Sequence, residues 1–173
     1  MTATPRRLGP QDADAYAALR REMLLDSPWA YGSAPGDDPM CTPDGLRGYL
    51  THAEKAIFAA WERDPPSGAE KILAVAGVFR IERFKRRHVA YVWGVYVIPA
   101  ARGRGLGRAV VLAAIEAARA WDGVACVSLS ASENSKAAQA LYKSLGFVAW
   151  GVEPDSLRVD GRSYGEVFMQ RPL

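Results

Sequence analysis

The sequence predicts an α+β fold in three layers. A mixed, mostly antiparallel sheet of about seven strands carries one parallel pair and is flanked by about four helices. Three observations carry this. Apolar runs at 71–83 and 89–98, joined by a short basic link, read as a hairpin and so as an antiparallel pair. The order strand, helix, strand across 89–131 requires a right-handed crossover and a parallel pair. The strand from Val89 to Ile98 is apolar on both faces, with Val89, Tyr91, Trp93, Val95 and Val97 alternating with Ala90, Val92, Gly94, Tyr96 and Ile98. It therefore lies inside the sheet, with helices on both sides.

The 173 residues are expected to form a single domain, 1–173, able to bury roughly two-thirds of their unfolded surface. Composition is that of an ordinary soluble globule, with 24% charged residues and a net charge of +3, too mild to argue for a nucleic-acid partner. Cys41 and Cys126 lie far apart, as do His52 and His88, so neither a disulfide framework nor a metal site is expected. The start, MTATPRRLG, lacks the apolar core of a signal peptide. The longest apolar run, Val89–Ala101, is too short to cross a bilayer and is broken by Pro99. These features predict a cytoplasmic monomer or homodimer without a membrane partner.

Taken in order, Thr4–Leu8 reads as a short edge strand, and Pro10, Gln11 and Asp12 open a helix. Its apolar stripe is Ala13, Tyr16, Ala17, Leu19, Met23 and Leu24, with Arg20, Arg21 and Glu22 largely off it. From Ser27 to Gly45 the chain is rich in Gly, Pro, Asp and Ser, which predicts a long loop. Trp29, Tyr31 and Met40 within it suit either a binding lid or a connector pinned by its aromatics. Thr42 caps a short helix with Pro43 at its first position and Leu46, Tyr49 and Leu50 inward. A strand at 56–61, a turn at 64–68, and the hairpin strands follow. The basic run Arg80, Arg83, Lys85, Arg86 and Arg87 could bind a phosphate or an acidic partner, but such a run is more often a solvated hairpin tip, and it has no aromatic interleaving that could stack bases.

Gly94 marks a bulge in the central strand, which would bend it from its neighbour and leave N–H groups for a ligand. Pro99 ends the strand. Gly103, Gly105 and Gly107 then precede an apolar helix running to about Trp121. Free backbone N–H groups and the positive end of the helix dipole make this junction an anion site, with Arg102, Arg104 and Arg108 around it. It is not a Walker loop, because Arg108-Ala109 stands where Lys and a hydroxyl are needed. Nor is it a dinucleotide fingerprint, because Arg108 occupies the position of the small third residue. The next strand spans Val124–Ala131. Asn134 is placed to cap a helix carrying Ala138, Leu141, Tyr142 and Leu145, with Gly146 as its C-terminal stop. Strands at 147–152 and 164–170, joined by a turn at Asp160-Gly161, close the chain as an antiparallel pair.

The Arg-x-x-Gly-x-Gly pattern of Arg102, Gly105 and Gly107 after a Val-x-Val-x-Pro strand resembles the coenzyme A pyrophosphate loop of the GNAT superfamily of N-acetyltransferases. One helix and one strand later, Asn134, Ala138, Leu141-Tyr142 and Gly146-Phe147 resemble the second signature of that family. The likeness covers most of the chain and is strongest over 95–147. It implies acetyl-CoA as cosubstrate and a primary amine as acceptor, on a small molecule or a protein N-terminus. It also implies roles for particular residues. Backbone N–H groups across Arg102, Gly103, Arg104, Gly105, Leu106 and Gly107 would cradle the pyrophosphate, with Arg108 beside them. Val95, Tyr96 and Val97 would hold the pantetheine arm in strand fashion, an N–H near Val97 facing the thioester carbonyl. Asn134 would bond the pantetheine or its pyrophosphate end. Tyr142 would be the general acid, since a phenol with a pKa near ~10 is protonated at neutral pH and can protonate the leaving sulfur.

The general base is not assigned. The strand 89–98 has no carboxylate, and Leu129 occupies another position where the family often carries one. Glu82, Glu133, Tyr91, a water relay or a neutral amine all stay open. The alternative to an enzyme is a non-catalytic acyl-CoA-binding module, which would not need a phenol near the sulfur. Acceptor choice falls to the Ser27–Gly45 loop, where Asp37 and Asp38 could attract a cation, and to the turn joining the last two strands.

Overall fold

The computed structural model describes residues 4–63 and 65–173. Asp64, the first residue of the expected 64–68 turn, lies outside them. Seven strands form one sheet: β1 (Arg6–Arg7), β2 (Lys55–Arg63), β3 (Glu70–Arg80), β4 (Val89–Val97), β5 (Cys126–Ser132), β6 (Val148–Val159) and β7 (Arg162–Pro172). The helices are α1 (Ala13–Asp26), α2 (Pro43–Thr51), α3 (Leu106–Arg119) and α4 (Lys136–Ser144). The sheet order is β1-β2-β3-β4-β5-β7-β6. Among the described strands only β4 and β5 run parallel, and every other neighbouring pair is antiparallel. The predicted layered fold, with its one parallel pair beside the glycine turn, is the observed one.

β3 is buried at every position from Ile72 to Val78, so both faces of the sheet are covered there. Helix α3 packs on β2, β3 and β4, while α1 and α2 pack on each other and against β3 and β2. All six residues of the predicted α1 stripe are buried. Arg20, expected off that stripe, is buried as well, at 5% exposure. Its guanidinium is paired inside the protein, which the helical spacing alone could not show. The helix entry also differs in detail. Pro10–Asp12 is a 3-10 turn, and the Asp12 carboxylate accepts from the Gly9 N–H at 2.9 Å and from both Arg6 terminal nitrogens at 2.8 Å. These bonds hold Asp12 below the usual carboxylate pKa despite burial, and they tie the short edge strand β1 to α1.

Thr42 caps α2 as expected, its hydroxyl accepting from the Gly45 N–H at 3.2 Å. Gly146 ends α4 in left-handed geometry (φ 85°). Its N–H reaches Lys143 and that of Phe147 reaches Tyr142, each at 3.0 Å, the paired bonds of a Schellman motif. The basic link is exposed, with a 3-10 turn at Phe84–Arg86, as a solvated hairpin tip should be.

Where β3 meets β4, small and large residues interlock. The Trp93 indole lies over Gly77, and its N–H donates to the Tyr49 hydroxyl at 2.7 Å. Tyr49 in turn donates to the Val78 carbonyl at 3.0 Å and meets the Trp93 ring edge-on at 5.4 Å. A Cβ at residue 77 would stand 2.4 Å from the indole. Because two partners hold that ring, Gly77→Ala is expected to cost about 1–3 kcal/mol in urea unfolding, with a shift in tryptophan fluorescence.

Candidate active site

The site exists because the sheet opens. β4 pairs with β5 only over Val89–Tyr91 against Cys126–Ser128. Beyond Tyr91 the partners part, and a cleft of about 650 Å³ lies between them. The cause is the expected bulge. The β3–β4 register slips between Val75/Tyr96 and Gly77/Trp93, leaving one extra residue on β4. Gly94 sits there at φ 59°, a conformation that costs a side-chain-bearing residue energy. After the bulge, the Ile98 N–H bonds the Leu73 carbonyl on β3 at 2.9 Å. Alternation then turns the Val97 N–H the other way, into the cleft. The Val97 and Val95 carbonyls on that edge already have partners, the Arg102 Nε–H at 3.1 Å and the Tyr31 hydroxyl at 2.9 Å.

The glycine turn closes one end of the cleft. Gly103 (φ 78°) and Gly105 (φ 77°) are both left-handed, and a Cβ on either would meet nothing within 4 Å. Gly105 is the residue preceding α3, and the Ala109 N–H is bonded to its carbonyl. The N–H groups of Leu106, Gly107 and Arg108 therefore fall in the first turn, where helices have no internal acceptors. Gly107 serves packing instead, since its Cβ would lie 3.3 Å from Val97 and 3.5 Å from Leu141. Arg102, Leu106 and Arg108 line the cleft. Arg102 is also paired with Asp26 at 2.7 Å and stacked 5.9 Å from the Tyr96 ring centroid. Arg104 turns away to Glu62 on β2 at 2.9 Å.

Helix α4 forms the facing wall. It starts at Lys136 with Ser135 as the preceding cap residue, and the Asn134 side chain does not cap it. The turn is held from inside the helix, where the Gln139 amide donates to the carbonyls of Ser132 (2.9 Å) and Glu133 (3.2 Å). That bracing moves the helix start past Asn134 and leaves Asn134 on the cleft wall. Tyr142 is 5% exposed and lines the cleft. Burial, with Tyr91 nearby, pushes its phenol well above the usual value, so it is protonated at neutral pH. Among the described hydrogen bonds, none engages its hydroxyl.

The sequence model of the acetyltransferase (GNAT) family matches residues 17–147. The chain belongs to that family. The structure is similar to an acetyltransferase of the GNAT family from Streptococcus pneumoniae, with a TM-score of 0.83 at 20% identity over 98% of both chains. It is also similar to yncA of Salmonella typhimurium, solved with its cofactor acetyl-CoA, with a TM-score of 0.79 at 22% identity over 98% of this chain and 93% of that one. Among curated proteins, the mycothiol acetyltransferase of Renibacterium salmoninarum is 37% identical over 65 residues, 38% of this chain. That match spans 19% of the relative's length.

At its other end the cleft of this GNAT domain is roofed by the 27–42 segment. Expected as an irregular loop, it contains 3-10 turns at Pro28–Ala30 and Pro39–Cys41. Tyr31 reaches across to the Val95 carbonyl, and burial pushes its phenol well up. Asp38 is buried rather than free to attract a cation. Its Oδ2 accepts from Arg20 Nε at 2.9 Å and Nη2 at 2.5 Å, and its Oδ1 from the Met40 N–H at 2.8 Å. Arg20 also stacks near the Trp93 and Tyr31 rings, at 5.3 and 5.6 Å from their centroids.

Among the cleft residues that the sequence reading did not place in the site are Ser130, Glu166 and Arg20. Glu166 stands on β7, which lies directly beside β5. Its only signal was a lone carboxylate within an expected strand, and the order of the last strands could not be read from the chain. Asp38→Ala would leave the Arg20 guanidinium buried without its anion. We expect a loss of about 3–5 kcal/mol in chemical unfolding, with the roof segment becoming protease-sensitive.

Proposed function

We propose that this chain is an acetyl-CoA-dependent N-acetyltransferase. It moves an acetyl group to a primary amine, of a small molecule or a protein N-terminus, by direct attack on the thioester. Tyr142 is the general acid. The observation that carries this reading is the Tyr142 hydroxyl: protonated, unengaged by any described hydrogen bond, and set in the cleft between the split strands. Unlike the hydroxyls of Tyr16 and Tyr96, which are sealed off without a partner, that of Tyr142 is not among the buried unpartnered atoms, and Tyr142 lines the cleft.

The residues present fit the cosubstrate. The open space above Gly103 and Gly105 admits a pyrophosphate against the first N–H groups of α3, and the dipole there favours negative charge. Arg102 and Arg108 add charge at the cleft, while Arg104, paired with Glu62, contributes field from outside it. The edge Val95–Tyr96–Val97 takes the pantetheine as an added strand, through N–H groups because the Val95 and Val97 carbonyls are engaged. The Val97 N–H is placed to polarise the thioester carbonyl and to hold the charge that develops on its oxygen. Asn134 bonds the arm from the facing wall. Bound there, acetyl-CoA supplies the activated acetyl group, and Tyr142 protonates the departing sulfur. No helix among the described residues is long and apolar enough to cross a membrane. The reading is of a cytoplasmic enzyme acting on a dissolved acceptor.

A screen of amino acids, polyamines, aminoglycosides and N-terminal peptides, reading free thiol from acetyl-CoA, tests the activity. Wild type should release thiol with at least one class. Tyr142→Phe should lower kcat about 10²-fold or more while acetyl-CoA affinity stays unchanged. Binding of acetyl-CoA without thiol release for any acceptor would identify a binding module instead.

A further inference from the structure

We infer that Glu166 is the terminal proton acceptor of the reaction, drawing the proton of the incoming amine through Tyr91 and Ser130. The inference rests on the acetyl-transfer reading and supplies the base that β4 itself lacks.

The geometry fixes a direction. Ser130 Oγ donates to Glu166 Oε1 at 2.9 Å, and Tyr91 Oη donates to Ser130 Oγ at 2.9 Å. An ionised carboxylate can only accept, so the single Ser130 proton is committed to Glu166. Ser130 must then accept from Tyr91. Every proton in the chain points toward Glu166, and the outer lone pairs of Tyr91 are left for the cleft that Tyr91 lines. Ser156 Oγ donates to Glu166 Oε2 at 3.0 Å, so the carboxylate is held from β6 as well as β5.

Each link has a chemical reason. Burial raises the Tyr91 phenol, so Tyr91 is a poor base by itself and must pass a proton on as it takes one. A serine hydroxyl can relay a proton but not keep it at neutral pH. A carboxylate can accept it and hand it to solvent. The other acidic candidates are committed elsewhere. Glu82 pairs with Lys55 at 2.9 Å away from the cleft, and Glu133 accepts the Gly165 N–H at 3.1 Å. Tyr91 on β4 feels the Glu166 charge, and Glu153 stands opposite it on β6. Of the cations lining the same cleft, Arg20 is bonded to Asp38, Arg102 to Asp26 and Arg108 to Ser144. Among the described residues no ion pair, of Lys136 or any other cation, engages Glu166, so the substrate's ammonium is free to take that place.

The step balances. The ammonium gives one proton to Tyr91 Oη as the Tyr91 proton passes to Ser130 and the Ser130 proton passes to Glu166. The freed nitrogen lone pair forms the C–N bond to the acetyl carbon. The C–S bond breaks, and sulfur takes the proton of Tyr142. The surplus proton on the new amide nitrogen returns to the Tyr142 phenolate, and Glu166 releases its proton to solvent.

Glu166→Gln tests this, using the amine that wild type acetylates fastest in the screen above. At pH 7 the variant should lose about 10²-fold in kcat with acetyl-CoA affinity unchanged. The deficit should shrink as pH rises toward the acceptor's own pKa, where the amine arrives neutral. Tyr91→Phe and Ser130→Ala break the chain elsewhere and should give the same altered pH profile. Tyr91→Phe keeps the ring, so it carries the test if Glu166→Gln does not fold. A wild-type rate and profile in Glu166→Gln overturns the inference, as does a loss confined to Glu166→Gln with the other two variants normal. Acceptor-free hydrolysis of acetyl-CoA is a separate arm, since attacking water gives up its proton by the same route. Its rate should also fall in Glu166→Gln, and an unchanged rate overturns the inference. Absence of amine acetylation by wild type would instead sink the acetyl-transfer reading.

Discussion

The site depends on a defect in the sheet. A parallel pair that stayed bonded along its length would seal the space between β4 and β5 with backbone hydrogen bonds, and no ligand could enter. The extra residue at the Gly94 bulge prevents this. It lets β4 keep its antiparallel bonds to β3 while turning away from β5 after Tyr91. The Val97 N–H is thereby released to the cleft. Glycine is favoured because the backbone there is left-handed (φ 59°); space is not the reason, since a Cβ would make only ordinary contacts with Arg20 and Tyr16 at 3.4 and 3.8 Å.

The opening has to be supported from both sides. On one side α3 approaches closely, and Gly107 lets its first turn settle against Val97 and Leu141. On the other side, the Arg20–Asp38 pair draws the roof segment down onto α1. Two charges so deeply buried contribute less to net stability than to fixing one arrangement of the loop. Tyr31, carried by that loop, then reaches the Val95 carbonyl. The end of the cleft at α3 is thus built from backbone and helix dipole, and the end under the 27–42 segment from side chains on elements far apart in sequence.

This division explains what could be read early. The glycine turn, the helix after it, the bulge and Tyr142 all lie within local patterns of period two or 3.6, or in a turn whose backbone demands glycine. Each is specified by its own stretch of sequence, whatever it later packs against. Asn134 was misread as a cap because a Ser or Asn at a helix start satisfies the same local rule. The Gln139 amide, reaching back to the carbonyls of Ser132 and Glu133, decided otherwise. Arg20 looked like a surface residue because nothing in its own helix shows that Asp38, eighteen residues on, comes back to meet it.

The sequence by itself determined the layered fold, the parallel pair, the position of the glycine turn before α3 and the phenol on the facing helix. These follow from side-chain periodicity and from backbone conformations that only glycine adopts readily. Only the tertiary structure decided that β7 slots between β5 and β6, and so that Glu166 stands beside Ser130 and Tyr91. Strand order is set by which apolar faces find each other once the chain has collapsed. That choice leaves no periodic mark on the strand itself, so the carboxylate remained invisible until its neighbours were in place.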